Sequence, residues 1–521
     1  MKTMKTMKKM LLSVLVLALL VAGTGCQNGS KKETSLMEDA NTVPNDTYEI
    51  NWYLMGTPQD DVGSVELAIN EYLKDKINAT VKIHAMEASQ YQQKMSTMIQ
   101  SGEYFDIAFC ARWMLDYFGN SAAGAYFPMG DYFDQYMPKA KEQIDPDQLE
   151  SIKLSDGKVY GLPVHKEFAG QIGWIYRKDI ADKYNINMEE YKTVESIKPV
   201  LEMIKEKEAA IQYPIDWDND SAPRILVENE SNIFRNGMYS NTEVVNFIDT
   251  PEFEEACLVA RDFYESGLVK KDVLTTHDTI QRMKEGKCFC MLSPLKPGKV
   301  QELFKNTNYE FAQQAITEAR VDYMPGAASM QVISATSKNP ARCMRFLELL
   351  NTDPELMNLV IYGIEGKHHN KIDENTVQIK QGTTYDFSAN AWAVGNNFIV
   401  YLTDKDDPKK HEQLQELNDN AERLVSNMFI FDDHDDNELI QLITELAVID
   451  SQYMAQATTG ALDPEPILKE WREKRKEAGE DKYLAELKKQ YEEYLKKHPE
   501  KVQETIEKER ELYHIEPGSA E

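Results

Sequence analysis

The stretch that decides the fold lies between residues 48 and 110, where short apolar runs alternate with helical segments. The three β-rich runs read YEINWYLM at 48–55, ATVKIH at 79–84 and FDIAFC at 105–110. Between them, residues 61–77 and 91–100 carry apolar side chains at helical spacing. Strands that alternate with helices of about 10–15 residues predict a mostly parallel sheet with right-handed crossovers. The sequence therefore predicts an α/β fold.

The same alternation returns later in the chain. The later strand-like runs are residues 173–177, 287–292 and 329–333, and the later helical patterns are residues 194–210, 252–267, 340–351 and 354–362. From Pro464 to about Tyr513 the residues are mostly Glu, Lys, Leu, Ala, Tyr and Gln, with apolar side chains about 3.6 positions apart. This pattern predicts long amphipathic helices at the end of the chain.

The composition bounds the class of protein. The chain has 521 residues, of which 42% are hydrophobic, and a formal net charge of −29 from 58 Lys and Arg against 87 Asp and Glu. At ~150 residues per domain, this length predicts about three units or two large lobes. An acidic surface lacks the clustered positive charge that binds nucleic-acid phosphates, and anionic membranes repel it. We expect no nucleic-acid partner, and attachment to a membrane requires a separate anchor.

The first 26 residues can supply that anchor. Four lysines between Lys2 and Lys9 precede the apolar run 10–22, and Gly25 and Cys26 follow it. The 13 residues of this run span only about 20 Å as a helix, too little for a ~30 Å hydrocarbon core, so the segment is typical of a secretory signal peptide. A Cys after a small residue at this place resembles the bacterial lipobox, whose Cys receives lipid and becomes the mature N-terminus.

We therefore predict a signal peptide at residues 1–25, lipidation with palmitate at Cys26 and a flexible tether at residues 26–47. The folded body is expected to start near Tyr48, on the extracytoplasmic face of the bacterial cell membrane. Ordinary signal cleavage beside an incidental Cys is the alternative.

The cysteines of the folded body do not suggest a disulfide scaffold. Five follow Cys26, and an odd number cannot pair completely. Cys288 and Cys290 lie in a strand-like run, which places them on one face but about 6.5–7 Å apart, a poor geometry for a disulfide. No His or further Cys stands nearby at metal-site spacing. Buried, reduced thiols are expected.

Seven short segments carry a resemblance to a known family. They are KMSTMIQSGEYFDIAF (94–109), DGKVYGLP (156–163), RKDIADKY (177–184), ISATSKNP (333–340), FLELLNTD (346–353), YGIEGKH (362–368) and TGALDP (459–464). The first three resemble extracellular solute-binding proteins of family 1, the sugar-associated type. The later four resemble the lipoprotein subgroup that ends in a domain of unknown function, DUF3502-like. The likeness covers residues 48–500.

The resemblance implies the two-lobe, type II periplasmic-binding-protein-like fold, with mostly parallel sheets flanked by helices and extra C-terminal helices. The first lobe is expected at residues 48–164 plus about 331–395, and the second at 165–330 plus about 396–460. Residues 461–521 are expected as a helical extension packed on the lobes. The resemblance further implies a monomer without a cofactor that closes on a small ligand, a sugar or oligosaccharide. It would deliver this ligand to the permease subunits of an ABC importer.

Three loops are expected to form the ligand site, because ligands of open α/β sheets bind beyond the carboxyl ends of the strands. These loops are residues 55–61, 110–117 and 166–174. A sugar site needs aromatic faces for stacking beside polar groups that hydrogen-bond to hydroxyls. The side chains of these loops that meet this need are Gln59, Arg112, Trp113, Asp116, Glu167, Gln171 and Trp174.

Two further tryptophans are candidates. Trp217 stands in the acidic run 215–220, and Trp392 precedes Gly395 and Asn396. The subgroup that the chain resembles carries an aromatic residue and a Gly-Asn pair in the second of these places. We therefore add Trp217, Trp392 and Asn396 to the predicted ligand site, with packing in the core as the alternative for each Trp.

The acidic run also resembles the start of an EF-hand calcium loop, with Asp216, Asp218 and Asp220 at alternate positions. Ser221 stands where the sharp turn requires Gly, and Val227 stands where a bidentate Glu is required. No metal site is predicted.

Two other functions stay open beside binding without bond making. A surface-anchored carbohydrate-active hydrolase needs two carboxylates about 5–10 Å apart across a cleft, which a chain with 87 acidic residues could supply. A peptide- or partner-binding surface lipoprotein would use the terminal helices for docking. The mature chain carries no G-x-S-x-G, H-E-x-x-H, P-loop or G-x-G-x-x-G motif, so we predict no other enzyme class.

Overall fold

The computed structural model describes residues 37–217, 244–304, 307–432 and 436–503. The predicted signal peptide and Cys26 lie outside the described residues. Within them, the strands are β1 (Tyr48–Met55), β2 (Ala79–Met86), β3 (Ile107–Cys110), β4 (Gly161–Pro163), β5 (Ala169–Arg177), β6 (Ile215–Asp216), β7 (Cys290–Leu295), β8 (Phe311–Ala315), β9 (Arg320–Val321), β10 (Met330–Ile333), β11 (His369–Lys371), β12 (Thr376–Ile379) and β13 (Leu402–Thr403).

The helices connect and cover these strands. The α-helices are α1 (Val62–Ile77), α2 (Ala88–Ser101), α3 (Tyr117–Ala122), α4 (Phe133–Tyr136), α5 (Pro138–Gln143), α6 (Pro146–Glu150), α7 (Lys178–Tyr184), α8 (Lys198–Lys207), α9 (Pro251–Glu265), α10 (Thr279–Lys284), α11 (Lys299–Phe304), α12 (Pro340–Thr352), α13 (Pro354–Tyr362), α14 (Lys410–Asn420), α15 (Asn437–Thr458), α16 (Pro464–Ala478) and α17 (Glu480–Lys497).

The first sheet has the strand order β2-β1-β3-β10-β4. β1 pairs in parallel with β2 and β3, as the alternation of residues 48–110 predicts. Trp52 is fully buried in β1, and its indole Nε1 donates to Gln331 Oε1 in β10 at 2.9 Å. Because β1 lies between β2 and β3, right-handed crossovers place α1 and α2 on opposite faces. The buried Ile69 and Met95 are part of the resulting core.

The second sheet has the order β6-β7-β5-β8, with β9 paired to the start of β5. β7, β8 and β9 all run antiparallel to β5, and β10 runs antiparallel to β3 and β4 in the first sheet. The α/β class is confirmed, but the sheets are mixed: within the described residues the parallel strand pairs are β1–β2, β1–β3, β6–β7 and β12–β13, and the other strand pairs are antiparallel. The chain enters the second sheet at the start of β5 and leaves it beside that same end. The last strand before it leaves, β9, must therefore run antiparallel to β5.

The two sheets are joined where three segments of the chain meet. We call this meeting point the hinge cluster, and its buried members are Phe168, Ala169, Val321, Ala421 and Met428. Backbone and side-chain hydrogen bonds tie the segments together: Phe168 N donates to Asn418 Oδ1 at 2.9 Å and Val321 N to Glu422 O at 2.9 Å. We call the part around the first sheet the first lobe and the part around the second sheet the second lobe.

The C-terminal helices pack against the second lobe and the hinge cluster. Trp471 of α16 is buried with Phe253 of α9, and its indole Nε1 donates to Asp450 Oδ1 of α15 at 2.8 Å. In α17, Tyr491 is buried against Phe429, and Tyr494 lies beside the hinge cluster. The apolar side chains of the terminal amphipathic pattern therefore face the lobes.

Two predicted boundaries differ from the structure. Residues 396–403, assigned to the second lobe, pack on the first, because Asn396 donates to Asn351 O at 3.0 Å and β13 pairs with β12. Residues 37–47, predicted as part of a free tether, lie against the first lobe. There the guanidinium of Arg342, which is fully buried in α12, forms two hydrogen bonds to the Glu38 carboxylate at 2.8 and 2.9 Å.

The five cysteines of the folded body are free and buried, as predicted. Burial raises the pKa of Cys110 and Cys288 to about 12. No helix within residues 37–217, 244–304, 307–432 and 436–503 has the length and hydropathy needed to cross a bilayer.

The Glu38–Arg342 pair yields a stability prediction. Glu38→Ala leaves a buried guanidinium without its carboxylate, and we expect the free energy of unfolding to fall by about 2–3 kcal/mol, at or below the usual cost of breaking a buried pair because Glu38 is partly exposed. Urea denaturation of the protein without its signal peptide measures the change. Asp39→Ala, at the exposed neighbouring position, is the matched control with an expected loss below about 0.5 kcal/mol. Equal losses in both variants would contradict an anchoring role for Glu38.

Candidate ligand-binding site

The carboxyl ends of β1, β2 and β3 meet at one rim of the first sheet, because these three strands are parallel. The segment before β10 reaches the same rim, since β10 runs antiparallel to β3. Arg112 N donates to Ala327 O in this segment at 2.7 Å. Residues 322–329 also lead the chain from the hinge cluster back to the first sheet, and we call them the return segment. The rim is therefore the edge at which an open α/β sheet binds ligands, and it lies beside the crossing segments.

Two tryptophans stand together at this rim, and we call them the tryptophan pair. Trp113 follows β3 and is 51% exposed, and Trp392 is half-buried. Their ring centroids are 6.0 Å apart with 37° between the planes, and the buried Phe109 lies 5.8 and 5.6 Å from the two rings. Sequence analysis proposed both tryptophans for the ligand site, and the structure brings them together.

Hydrogen bonds to the return segment hold the Trp113 indole and the backbone of Trp392. Trp113 Nε1 donates to Ala328 O at 3.1 Å, and Ser329 Oγ donates to the backbone oxygen of Trp392 at 2.8 Å. One ring face of Trp113 can therefore stay exposed while its N–H is satisfied. Ala328 and Ser329 could not be predicted from the sequence, because no local signal shows that β10 returns beside β3.

The turn that presents Trp113 is strained. Leu115 and Asp116 have φ values of 64° and 38°, in the left-handed region that costs about 1 kcal/mol or more for a non-glycine residue. Asp116 Oδ1 accepts from Gly119 N at 3.2 Å and so caps α3. Arg112 is half-buried and precedes Trp113 in the same turn. The turn thus places a cation, an indole and a carboxylate at the rim, all within the five consecutive residues 112–116.

The loop after β1 lies at the same rim, one strand away. The side-chain amide of Gln59 accepts from Asp386 N at 2.8 Å and donates to Thr57 O at 2.9 Å. His368, buried and missed by sequence analysis, contacts Asp61 Oδ2 through Nε2 at 2.8 Å. Lys367, Ser64 and His368 hydrogen-bond to the Asp61 carboxylate and lower its pKa well below the usual range. These contacts hold the loop in place, and both ends of the Gln59 amide are already engaged.

Glu167 and Gln171 lie on the first crossing segment. The Glu167 carboxylate contacts Lys296 Nζ at 2.9 Å and Lys166 Nζ at 3.5 Å. Burial alone would raise the pKa of Glu167, but the two positive charges outweigh it and lower the pKa to about 2. Gln171 is half-buried, and its Nε2 donates to Thr317 O at 3.3 Å. Both residues lie where the hinge cluster meets the second sheet. Their contacts are with Lys166, Lys296 and Thr317, not with the tryptophan pair.

Three predicted ligand residues are buried in the structure. Trp174 and Trp217 are both 0% exposed in the core of the second lobe, where their indole N–H groups donate to Tyr191 O and Thr459 O at 2.9 and 3.3 Å. Asn396 is buried and donates to Asn351 O. The structure does not bring these three predicted side chains to a surface that a ligand can reach, because each has its polar group satisfied and its surface covered.

The structure also explains the acidic run at 215–220. Asp216 is fully buried, and its carboxylate contacts Lys270 Nζ at 3.3 Å and Arg282 Nε at 2.6 Å. Both oxygens face cations, so Asp216 does not have the position of a calcium ligand. Asp218 and Asp220 lie outside the described residues. Among the residues that the structure describes, no cluster of three or more His, Cys, Asp and Glu side chains could hold a metal ion.

The lowered pKa of Glu167 predicts a pH dependence of stability. In the unfolded chain this carboxyl has a pKa near 4.5, and in the folded protein near 2. Its ionised form therefore stabilises the fold above about pH 5, and the contribution, about 3 kcal/mol at most, is lost as the pH falls from about 5 to 2. In Glu167→Gln the free energy of unfolding, measured by urea denaturation across this pH range, should fall less steeply than in the wild type. The exposed Glu412→Gln is the control, and a slope equal to that of the control would contradict the assignment.

Comparison with known proteins agrees with this architecture. Residues 68–363 match the family model described as bacterial extracellular solute-binding protein, and residues 428–496 match a domain of unknown function, DUF3502. A curated relative from Streptococcus pneumoniae serotype 4, described as a carbohydrate ABC transporter substrate-binding protein, is 29% identical over 495 residues, which cover 93% of this chain and 97% of the relative.

Solved structures are also similar. The N-glycan transport solute-binding protein NgtS from Streptococcus pneumoniae is 28% identical with a TM-score of 0.77, covering 86% of this chain and 99% of that chain. Its complex with Man1GlcNAc has a TM-score of 0.71 at 27% identity, covering 86% and 100%. The alginate-binding protein AlgQ2, at 15% identity, a TM-score of 0.61 and coverage of 87% and 100%, shares the fold. The family model covers more than half of the chain, and the resemblance of its motifs is confirmed: this chain belongs to the family of bacterial extracellular solute-binding proteins.

Proposed function

We propose that this protein captures an oligosaccharide outside the cytoplasm and delivers it to the permease subunits of an ABC importer. The observation that carries the proposal is the tryptophan pair, with Trp113 exposed, at the carboxyl rim of the first sheet beside the segments that join the two lobes. The names of the similar proteins support the same class of ligand, since the relative is a carbohydrate ABC transporter substrate-binding protein and NgtS binds Man1GlcNAc.

The chemistry of the tryptophan pair suits a sugar. The C–H face of a sugar ring packs on an indole, and its hydroxyls need hydrogen-bond partners at the ring edge. Arg112 and Asp116 flank Trp113 in the same turn and offer a donor and an acceptor there. Half of the Trp113 surface is in water without ligand, and covering such an apolar face releases about 25 cal/mol for each Å² buried.

Closure of the lobes is the proposed mechanism. A ligand on the tryptophan pair that also touches the second lobe makes more contacts in the closed state, and it therefore shifts the population toward closure. The hinge cluster is the element about which the lobes would turn. In this mechanism no bond is made or broken. We propose a monomeric receptor without enzyme activity or cofactor, in preference to a carbohydrate-active hydrolase or a peptide-binding lipoprotein.

The first binding prediction concerns Trp113. Trp113→Ala removes the exposed stacking face, and we expect the affinity for Man1GlcNAc and Man5GlcNAc, the probes bound by the relative, to fall about 30-fold, or ~2 kcal/mol. Isothermal titration calorimetry on the protein without its signal peptide measures the change. Trp392→Ala should act in the same direction.

Leu258→Ala is the matched control, because Leu258 is also 51% exposed but lies on α9 of the second lobe. Its affinity should equal that of the wild type. Unchanged binding in both tryptophan variants would contradict a stacking site at the rim. Recovery of intact sugar after the titration supports a receptor, whereas cleaved sugar would identify a hydrolase.

We further propose that lipid on Cys26 anchors the protein to the extracytoplasmic face of the membrane. Labelling of cells with a palmitate analogue should mark the wild type and not Cys26→Ser, because the thiol is the acceptor. The variant should also move from the membrane to the soluble fraction. An unlabelled wild-type protein released into the medium would contradict the anchor.

A further inference from the structure

A groove of about 710 Å³ lies at the free edge of the first sheet, between β2 and α2. Within the described residues, β2 pairs only with β1, so its outer side is not covered by another strand. Pro58 and Gln59, which belong to the loop after β1 at the ligand rim, are part of the groove lining. The groove is therefore continuous with the edge of the sheet that carries the tryptophan pair.

The floor of the groove is a stacked pair of rings. Tyr53 of β1 and His84 of β2 are register partners, and their rings lie 4.3 Å apart with only 16° between the planes. Both side chains are half-buried, and Met86 continues the floor toward the rim. Because the two rings stack on each other, each has its outer face and its edges left for a ligand, and an outer face can take the C–H face of a sugar ring.

The wall of the groove offers hydrogen-bonding groups. Gln90, Gln93 and Thr97 lie on the groove side of α2 at spacings of three and four residues, so they form one stripe of the helix. All three are exposed, and within the described residues the side-chain amides of Gln90 and Gln93 make no hydrogen bond. Lys94 is the one lysine in the lining, and it faces Glu103 at 3.7 Å. The lining therefore suits a neutral, hydroxyl-rich ligand better than an anion.

Helix α2 is also tied to the turn that carries Trp113. Gln92 Oε1 accepts from Leu115 N at 3.1 Å. In the sheet order, the end of β2 is two strands from the end of β3, which is about 10 Å at the usual strand spacing. An oligosaccharide of several units that starts on Trp113 and follows the rim is long enough to reach the groove.

We propose that the groove is a second sugar-binding site, which takes a distal hexose unit of an oligosaccharide whose first units lie on the tryptophan pair. Tyr53 and His84 provide the stacking surface, and Gln90 and Gln93 hydrogen-bond to hydroxyls. The site makes the protein select for long or branched ligands over short ones. This inference rests on the proposed function, because it assigns a further contact of the same ligand.

Calorimetry with a short and a long probe tests the site. We expect the double variant Gln90→Ala, Gln93→Ala to bind Man5GlcNAc about 10-fold more weakly and Man1GlcNAc as the wild type does. Both substitutions are at exposed helix positions, where Ala preserves the helix. Tyr53→Leu, which removes one ring of the floor, should show the same selective loss. Gln100→Ala, two turns further along α2 and outside the groove lining, is the control and should bind both probes normally.

The outcomes separate this proposal from the proposed function. If Trp113→Ala weakens both probes while the groove variants change neither, or change both equally, the groove site is refuted and the proposed function stands. If the wild type binds neither probe, the proposed function is refuted, and the groove site falls with it. A selective loss for Man5GlcNAc in the groove variants, absent from Gln100→Ala, supports the site.

Discussion

The contact on which the rest of the structure depends is the hinge cluster, where Phe168, Val321 and Met428 meet from three separate parts of the chain. The segments that connect the two sheets converge there. A strand that follows one of them must therefore start at the end of its sheet that is nearest to the cluster. This constraint makes β10 antiparallel to its neighbours and carries Ala328 and Ser329 to the rim. The orientation of the Trp113 ring and the backbone position of Trp392 follow, because each is held by a hydrogen bond to that return segment. The geometry of the ligand site is thus a consequence of how the lobes are joined.

The C-terminal helices give this joint a second set of supports. Tyr494 of α17 donates to Val425 O at 3.2 Å. Val425 lies in residues 421–428, the third segment that meets in the hinge cluster. Arg423 of the same segment contacts Asp145 at 2.9 Å and Asp147 at 2.7 Å at the start of α6 in the first lobe, and Lys501 reaches Asp147 at 3.2 Å. Arg423 and Lys501 flank the region that matches DUF3502, and that region itself contacts the second lobe through Trp471 and the core of the first lobe through Ile430. Any rotation between the lobes must keep these ion pairs or exchange them for water.

Local patterns in the sequence predicted the elements that depend on local forces. The strands and helices of residues 48–110 follow from apolar periodicity, and the turn after β3 was located because it follows a buried strand. The direction of the later strands could not be predicted, since it depends on where the chain re-enters a sheet. The tryptophans show the same division. Trp113 was placed in a rim loop by its position after β3, whereas burial of Trp217 depends on Thr459, 242 residues away, which accepts its N–H.

The candidate site combines features that do not favour stability of the free protein. A Trp side chain left half in water gives up part of the free energy that its burial would supply. Leu115 and Asp116 hold backbone conformations that cost further free energy. By contrast, the side chains of Trp52, Trp174, Trp217 and Trp471 are completely buried. The neighbouring bonds, from Trp113 to Ala328 and from Leu115 to Gln92, keep the exposed ring in one orientation at this cost. A rigid, exposed indole on a strained turn contributes little to folding, and its cost is offset when a ligand covers it.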